Sequence, residues 1–214
     1  MNALPHGTAG AKAAIGLRSR ISAGQLAPGS KLSEQEFAQE LGVSRNTLRE
    51  VFTELAGESL VEKLPNRGVF VARPIPEDVR EIYCTRAVIE PAAALWGRTR
   101  PGMDGQVRAV LESAMRGKDA GDARVMGDAN QAFHRLLLTM TGSETLLIVM
   151  DRLLAQMRLV FHSMSQEPEF HSHYVERNVQ VWDLIMAGQR AAAADELQRY
   201  LAEAQEELLS HMRV

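Results

Sequence analysis

Two sets of side chains in this 214-residue sequence have types and spacings that could do chemistry. The first is Arg45, Asn46, Arg49 and Thr53. At roughly 100° of rotation per residue these fall opposite an apolar helical stripe made of Leu48, Val51, Phe52 and Leu55. Two arginines one turn apart, beside an amide and a hydroxyl, suit the major groove of DNA. Arginine can pair bidentately there with guanine O6 and N7. Further on, Asn66-Arg67-Gly68 sets a basic side chain beside a residue small enough to let backbone approach a duplex closely. The competing reading is a solvated helix face and an ordinary surface turn.

The second set consists of polar residues inside apolar stripes. Arg86 shares a helical face with Val79, Ile82, Ile89 and Ala93. Asn130 and His134 lie one turn apart, and Leu137 continues their row. Asn178 is in line with Val175, Val181, Trp182 and Ile185, and Tyr200 lies near Leu197, Leu201 and Ala204. Buried polar groups need partners, and a buried arginine needs a counter-charge. Four helices that each turn a polar residue inward suggest a polar cavity, in which an arginine would recruit a carboxylate. The competing reading is a satisfied polar core, with Arg86 paired to Glu90 or another acid.

The elements that position these residues can be read from the punctuation. Residues 9–24 read as a helix with Ile15 and Ile21 among its apolar positions, ended by Pro28-Gly29. Ser33 and Glu36 form a capping-box pattern for a short helix through Leu41. Ser44 caps a third helix that runs to about Ser59. The β-rich runs 60–64 and 69–72, around Pro65 to Gly68, read as a hairpin. The segment RPIP at 73–76 is a stiff linker, with Pro76 at a helix start. Beyond it the periodicity predicts six helices, at 76–100, 103–117, 122–141, 143–165, 168–187 and 189–212. The expected fold is mainly α: a winged helix-turn-helix over 1–75, then an all-helical antiparallel bundle over 76–214.

Composition bounds the function. The net charge is −3, with a balance of +1 over 1–72 and −4 over the rest, so the chain is no general electrostatic glue for nucleic acid or anionic membrane. One cysteine, Cys84, excludes an intrachain disulfide framework. No apolar run approaches a membrane span and the first residues lack signal-peptide order, so a cytoplasmic setting with no membrane partner is expected.

Within the first domain, the runs LRSRISAGQLAPGSKLSEQEFAQELGVSRNTLRE at 17–50 and ESLVEKLPNRGVFV at 58–71 resemble the DNA-binding domain of GntR-type transcription regulators. The resemblance implies that Arg45 and Arg49 read bases or adjoining phosphates. It implies that Ser44 and Thr47 hold phosphates and that Arg67 and Gly68 enter the minor groove. Asn46 stands where a threonine is usual.

The second domain is similar to the all-helical FCD-type ligand-binding domain of the FadR branch. EIYCTRAVIEPAAA at 81–94 and NQAFHRLL at 130–137 carry the likeness, and IMAGQ at 185–189 adds to it. Many relatives hold a divalent metal with one aspartate and three histidines, and sense a small carboxylic acid beside it. Here His134 matches the first histidine. Asn130 stands at the aspartate, and Asn178 and Tyr200 fall at the other two histidines. One good nitrogen donor and no carboxylate make a poor site for zinc, nickel or manganese. The expectation is therefore no tightly held metal and no other cofactor. Arg86, Asn130, His134, Asn178 and Tyr200 would bind a small carboxylate effector directly.

His171 and His173, an i, i+2 pair, converge in a strand but not in a helix, and are expected to face solvent. His6, His162 and His211 receive no role. Met150, Met157 and Met164 read as core filling. The leading expectation is a homodimeric, ligand-responsive repressor on a two-fold related operator in double-stranded DNA. The alternatives are a regulator whose helical domain only dimerises, and a helical-bundle enzyme using His134 as a base. For the enzyme the sequence shows no nucleophile or paired carboxylate near His134.

Overall fold

The computed structural model describes residues 9–162 and 168–212. His6 and Met164 lie outside the described residues. By its internal contacts the chain divides into two units. Residues 1–74 with 155–162 form one, and residues 75–154 with 163–214 form the other.

In the first unit, α1 (Ala9–Ser22), α2 (Glu34–Glu40) and α3 (Arg45–Gly57) precede a small sheet. Serines start α2 and α3. Ser33 Oγ accepts from the Glu36 amide at 3.4 Å, and Ser44 Oγ accepts from the Thr47 amide at 3.0 Å. The stripe read for α3 is the buried one: Leu48, Val51, Phe52 and Leu55. For α1 the reading needs a correction. Ile21 is buried, but Ile15 is 63% exposed, and the packed face runs through Ala13, Ala14 and Leu17.

The hairpin is β2 (Val61–Leu64) and β3 (Gly68–Val71), antiparallel, with Val61 opposite Val71 and Leu64 opposite Gly68. Its turn needs left-handed backbone at Asn66 (φ +60°) and Gly68 (φ +108°). A two-residue strand, β1 (Lys31–Leu32), completes the order β1-β3-β2. So short a run has no periodicity to read. Ala155 and Leu159 join this unit's core, and Gln156 Nε2 donates to the Glu58 carbonyl at 2.7 Å.

The second unit is helical among its described residues. Its elements are α4 (Pro76–Trp96), α5 (Met103–Asp119), α6 (Ala123–Thr139), α7 (Glu144–His162, to Leu154 in this unit), α8 (Pro168–Met186) and α9 (Arg190–His211). Helix α4 starts on Pro76, and Asp78 Oδ2 accepts from the Ile75 amide at 2.8 Å. It packs on α9 and α6. Helix α5 packs on α6 and α8, and α8 packs on α6 and α9. The four helices that carry Arg86, His134, Asn178 and Tyr200 thus form a ring, α4–α6–α8–α9, in which each packs on two of the others. No described helix is long and apolar enough to cross a membrane.

Candidate functional site

In the first unit, α3 and the hairpin present one polar surface. Ser44, Arg45, Asn46, Arg49, Arg67 and Gly68 are exposed, and Thr47 is half-buried against Ser44. Asn46, Arg49, Thr53, Asn66 and Gly68 line an open depression of about 400 Å³ between helix and hairpin. Lys63 lines it too, and its ammonium reaches Thr53 Oγ1. That lysine escaped the sequence reading, which took β2 only as a strand. The Arg67 guanidinium and the Lys31 ammonium each lie 5.9 Å from the Phe70 ring centre. A side chain at position 68 would crowd the Lys31 stem, with Cβ only 3.3 Å from Cε.

Acidic groups occupy part of this face. Arg49 Nε donates to Glu34 Oε2 at 2.9 Å, and Asn46 Nδ2 donates to Glu50 Oε1 at 3.1 Å. Both contacts are exposed, so water and salt weaken them. Glu54 and Glu58 are drawn aside by Arg18.

In the second unit the five residues read from the sequence meet in one buried network. Arg86 Nε donates to Glu90 Oε1 at 2.6 Å. Glu90 Oε2 lies 2.5 Å from His134 Nδ1, and His134 Nε2 lies 2.8 Å from the Tyr200 hydroxyl. That hydroxyl is also 2.9 Å from Asn130 Oδ1, which accepts from Asn178 Nδ2 at 2.8 Å. The Tyr200 ring stacks on Tyr174 at 5.0 Å and meets the Arg177 guanidinium at 5.3 Å. Of the two readings of Arg86 drawn from sequence, pairing to Glu90 is the one observed. Glu90 is not among the residues expected to bind an effector, although its i, i+4 spacing from Arg86 is the available signal.

The charges follow from burial. Desolvation pushes Glu90 up, but the Arg86 guanidinium and the His134 ring more than reverse this and hold its carboxyl at about 2. Desolvation pushes His134 down, and Glu90 only partly opposes it. Burial pushes the Tyr83 phenol up to about 12 and the Tyr200 phenol higher still. We therefore assign a neutral His134 whose Nδ1–H donates to the Glu90 carboxylate, and the single Tyr200 proton is shared between His134 Nε2 and Asn130 Oδ1. Arg86 and Glu90 then cancel, and the network is neutral. Two buried atoms stay unspent: Arg86 Nη2 and Asn178 Oδ1 have no hydrogen-bond partner.

The cluster offers one imidazole, one carboxylate, two amides and a phenol. Both imidazole nitrogens are engaged, and the carboxylate is spent on Arg86 and His134. Divalent transition metals favour imidazole, thiolate and free carboxylate donors, so this set fits them poorly. Among the described residues, no three or more His, Cys, Asp or Glu are grouped to hold a metal ion. The expectation that His171 faces solvent is corrected: it is 5% exposed, whereas His173 is exposed and lies 3.3 Å from Glu207. Phe170 packs edge-on against His171, and both side chains are buried. Cys84 is exposed on α4, while His134 is fully buried.

Comparison with known proteins agrees with this two-part layout. Residues 11–71 match the family described as "Bacterial regulatory proteins, gntR family", and residues 81–203 match the FCD domain. A crystal structure of a putative GntR transcriptional regulator from Rhodococcus sp. RHA1 is 34% identical, with a TM-score of 0.84. The match covers 94% of this chain and 97% of that one. An uncharacterised HTH-type transcriptional regulator of Streptomyces ambofaciens is 34% identical over 128 residues, covering 59% of this chain and 53% of that protein. The galactonate operon transcriptional repressor of Escherichia coli K12 is 30% identical over 146 residues, covering 58% and 63%. The chain thus spans about half to three-fifths of the length of these curated relatives. The relatives are named as regulators of transcription, not as enzymes. The chain belongs to the GntR family of bacterial regulatory proteins, with a winged helix-turn-helix followed by an FCD domain.

Proposed function

We propose that this protein is a repressor that binds a two-fold related DNA operator as a homodimer and releases it when a small organic acid enters the helical unit. Arg45, Asn46 and Arg49 reach base edges, Ser44 and Thr47 hold phosphates, and Arg67 and Gly68 enter the minor groove. The exposed α3 face beside the hairpin supports this part. The observation that carries the effector reading is the buried network. It keeps a buried guanidinium nitrogen and a buried amide oxygen without a hydrogen-bond partner in the protein, which is costly unless something fills them. An acid supplies a carboxylate to Arg86, and a hydroxyl on it supplies a donor to Asn178 Oδ1. The galactonate repressor among the relatives makes sugar acids the first class to try.

The site works without the divalent metal of many FCD relatives, because its donor set does not suit one. Elemental analysis of untagged protein is expected to find no stoichiometric divalent ion, and one ion per chain would overturn this. The function is tested by selecting bound sites from genomic fragments, then measuring operator affinity by fluorescence anisotropy with and without each acid. A dimer on a palindromic site, weakened at least tenfold by an acid that binds, is expected. An acid that binds without moving operator affinity would leave the helical unit as a dimerisation module.

A further inference from the structure

Among the described residues, Arg18 and Arg135 each show an arginine and a carboxylate that fit each other fully. Arg18 gives Nε and Nη2 to the two oxygens of Glu58, at 2.8 and 2.7 Å. Arg135 gives the same two nitrogens to Asp151, at 2.6 and 3.1 Å. In each, one planar carboxylate fills one edge of the guanidinium fork.

Arg86 departs from that pattern. Its Nε donates to Glu90 Oε1, but Nη2, the other half of the same edge, is buried without a hydrogen-bond partner, the guanidinium otherwise lying 5.0 Å from the Tyr83 ring centre. The cause is visible in the network. Glu90 Oε2 is committed to His134 Nδ1, so this carboxylate bridges two groups instead of filling the fork. The edge is half used, and a carboxylate with both oxygens free would fit it better than Glu90 does.

We propose that Glu90 is a built-in competitor for the effector's carboxylate: an organic acid binds by taking the Nε–Nη2 edge of Arg86, and Glu90 gives that edge up. Glu90 keeps His134 as its remaining partner. The cluster is neutral before binding, so the acid adds a negative charge beside Glu90, and Glu90 lowers the affinity for acids specifically. The competitor thereby sets the concentration at which the sensor responds. This inference rests on the organic-acid reading above.

The test is Glu90→Gln in the full chain. Glutamine keeps an acceptor for Arg86 Nε and nearly the same shape, but has no charge. Binding of D-galactonate, D-gluconate, lactate and acetate is measured by calorimetry for both proteins, with the uncharged D-gluconamide as control. The variant is expected to bind the acids at least tenfold tighter, with gluconamide unchanged within threefold. Glu90→Asp, whose shorter side chain reaches less far toward Arg86, is expected to show a smaller tightening and covers the case in which Glu90→Gln fails to fold. Unchanged or weaker acid binding in a folded variant would overturn the proposal. So would equal tightening of gluconamide, because charge would then not be the cause. Failure of both variants to fold would make Glu90 a purely structural group, which also overturns it. No saturable binding of any acid to either protein would instead sink the organic-acid reading, and this inference with it.

Discussion

Replacing Glu90 by leucine should be among the most damaging single changes in the helical unit. The carboxylate has two buried partners, Arg86 at 2.6 Å and His134 at 2.5 Å. Arg86 is 2% exposed and His134 0%, so neither can turn to water when Glu90 goes. Breaking a buried pair by removing one partner costs about 3–5 kcal/mol. In a chain of this size each kcal/mol moves the melting temperature by about 2–4 °C, so the expected loss is roughly 6–20 °C. The double variant Arg86→Met/Glu90→Leu should recover roughly half of it. A buried ion pair exchanged for apolar side chains is often neutral, and only His134 Nδ1 is left unpaired, at about 1–3 kcal/mol. Scanning calorimetry of both single variants and the double closes the cycle. A Glu90→Leu loss below about 1 kcal/mol, or a double variant that loses the sum of the singles, would refute the buried-pair reasoning.

Three further outcomes follow from the two sites. Arg49→Ala should weaken operator binding by about 1–3 kcal/mol while the melting of the helical unit stays put; an unchanged affinity in fluorescence anisotropy would remove Arg49 from base reading. Glu34→Gln frees Arg49 from an exposed ion pair worth about 1 kcal/mol at most, so it should tighten the operator complex by up to about fivefold, and less at high salt. The network should make the fold acid-sensitive. His134 is held below its ordinary 6.5, so the unfolded chain takes up that proton first and stability falls as the pH drops through that value. Glu90 is held at about 2 against 4.5, so its stabilisation is present above pH 4.5 and is lost as the pH falls toward 2. Melting temperatures across pH 8 to 3 should show both limbs, and His134→Gln should flatten the upper one.

Much of the fold was legible because its signals are local. Ser33, Ser44 and Pro76 start helices where capping and proline chemistry place them, and Asn66 to Gly68 turn the hairpin where left-handed backbone is needed. The stripe of α3 was read correctly because four bulky residues at i, i+3, i+4 and i+7 leave one choice of face. Helix α1 shows the limit. Ala13 and Ala14 carry little hydrophobic weight, so Ile15 drew the eye although the tertiary contacts bury the alanines. Strand β1 forms only because β3 lies beside it, and nothing in two residues encodes that.

The candidate effector site divides the same way. Sequence alone determined which residues would be turned inward, because a polar side chain in an apolar helical stripe has nowhere else to go. It also determined that the donors at 130, 178 and 200 are amides and a phenol, which already weakens the case for a metal. Tertiary structure decided who meets whom. Residues 86, 134 and 200 sit on three helices, and no spacing rule links them. Only the packing of α4 against α6 and α9 sets His134 between Glu90 and Tyr200. The same packing decided that Glu90 bridges instead of filling the Arg86 fork, and so left one guanidinium nitrogen unspent. Hydrogen bonds across helices depend on distances of a few tenths of an ångström, whereas periodicity resolves only which face a residue is on.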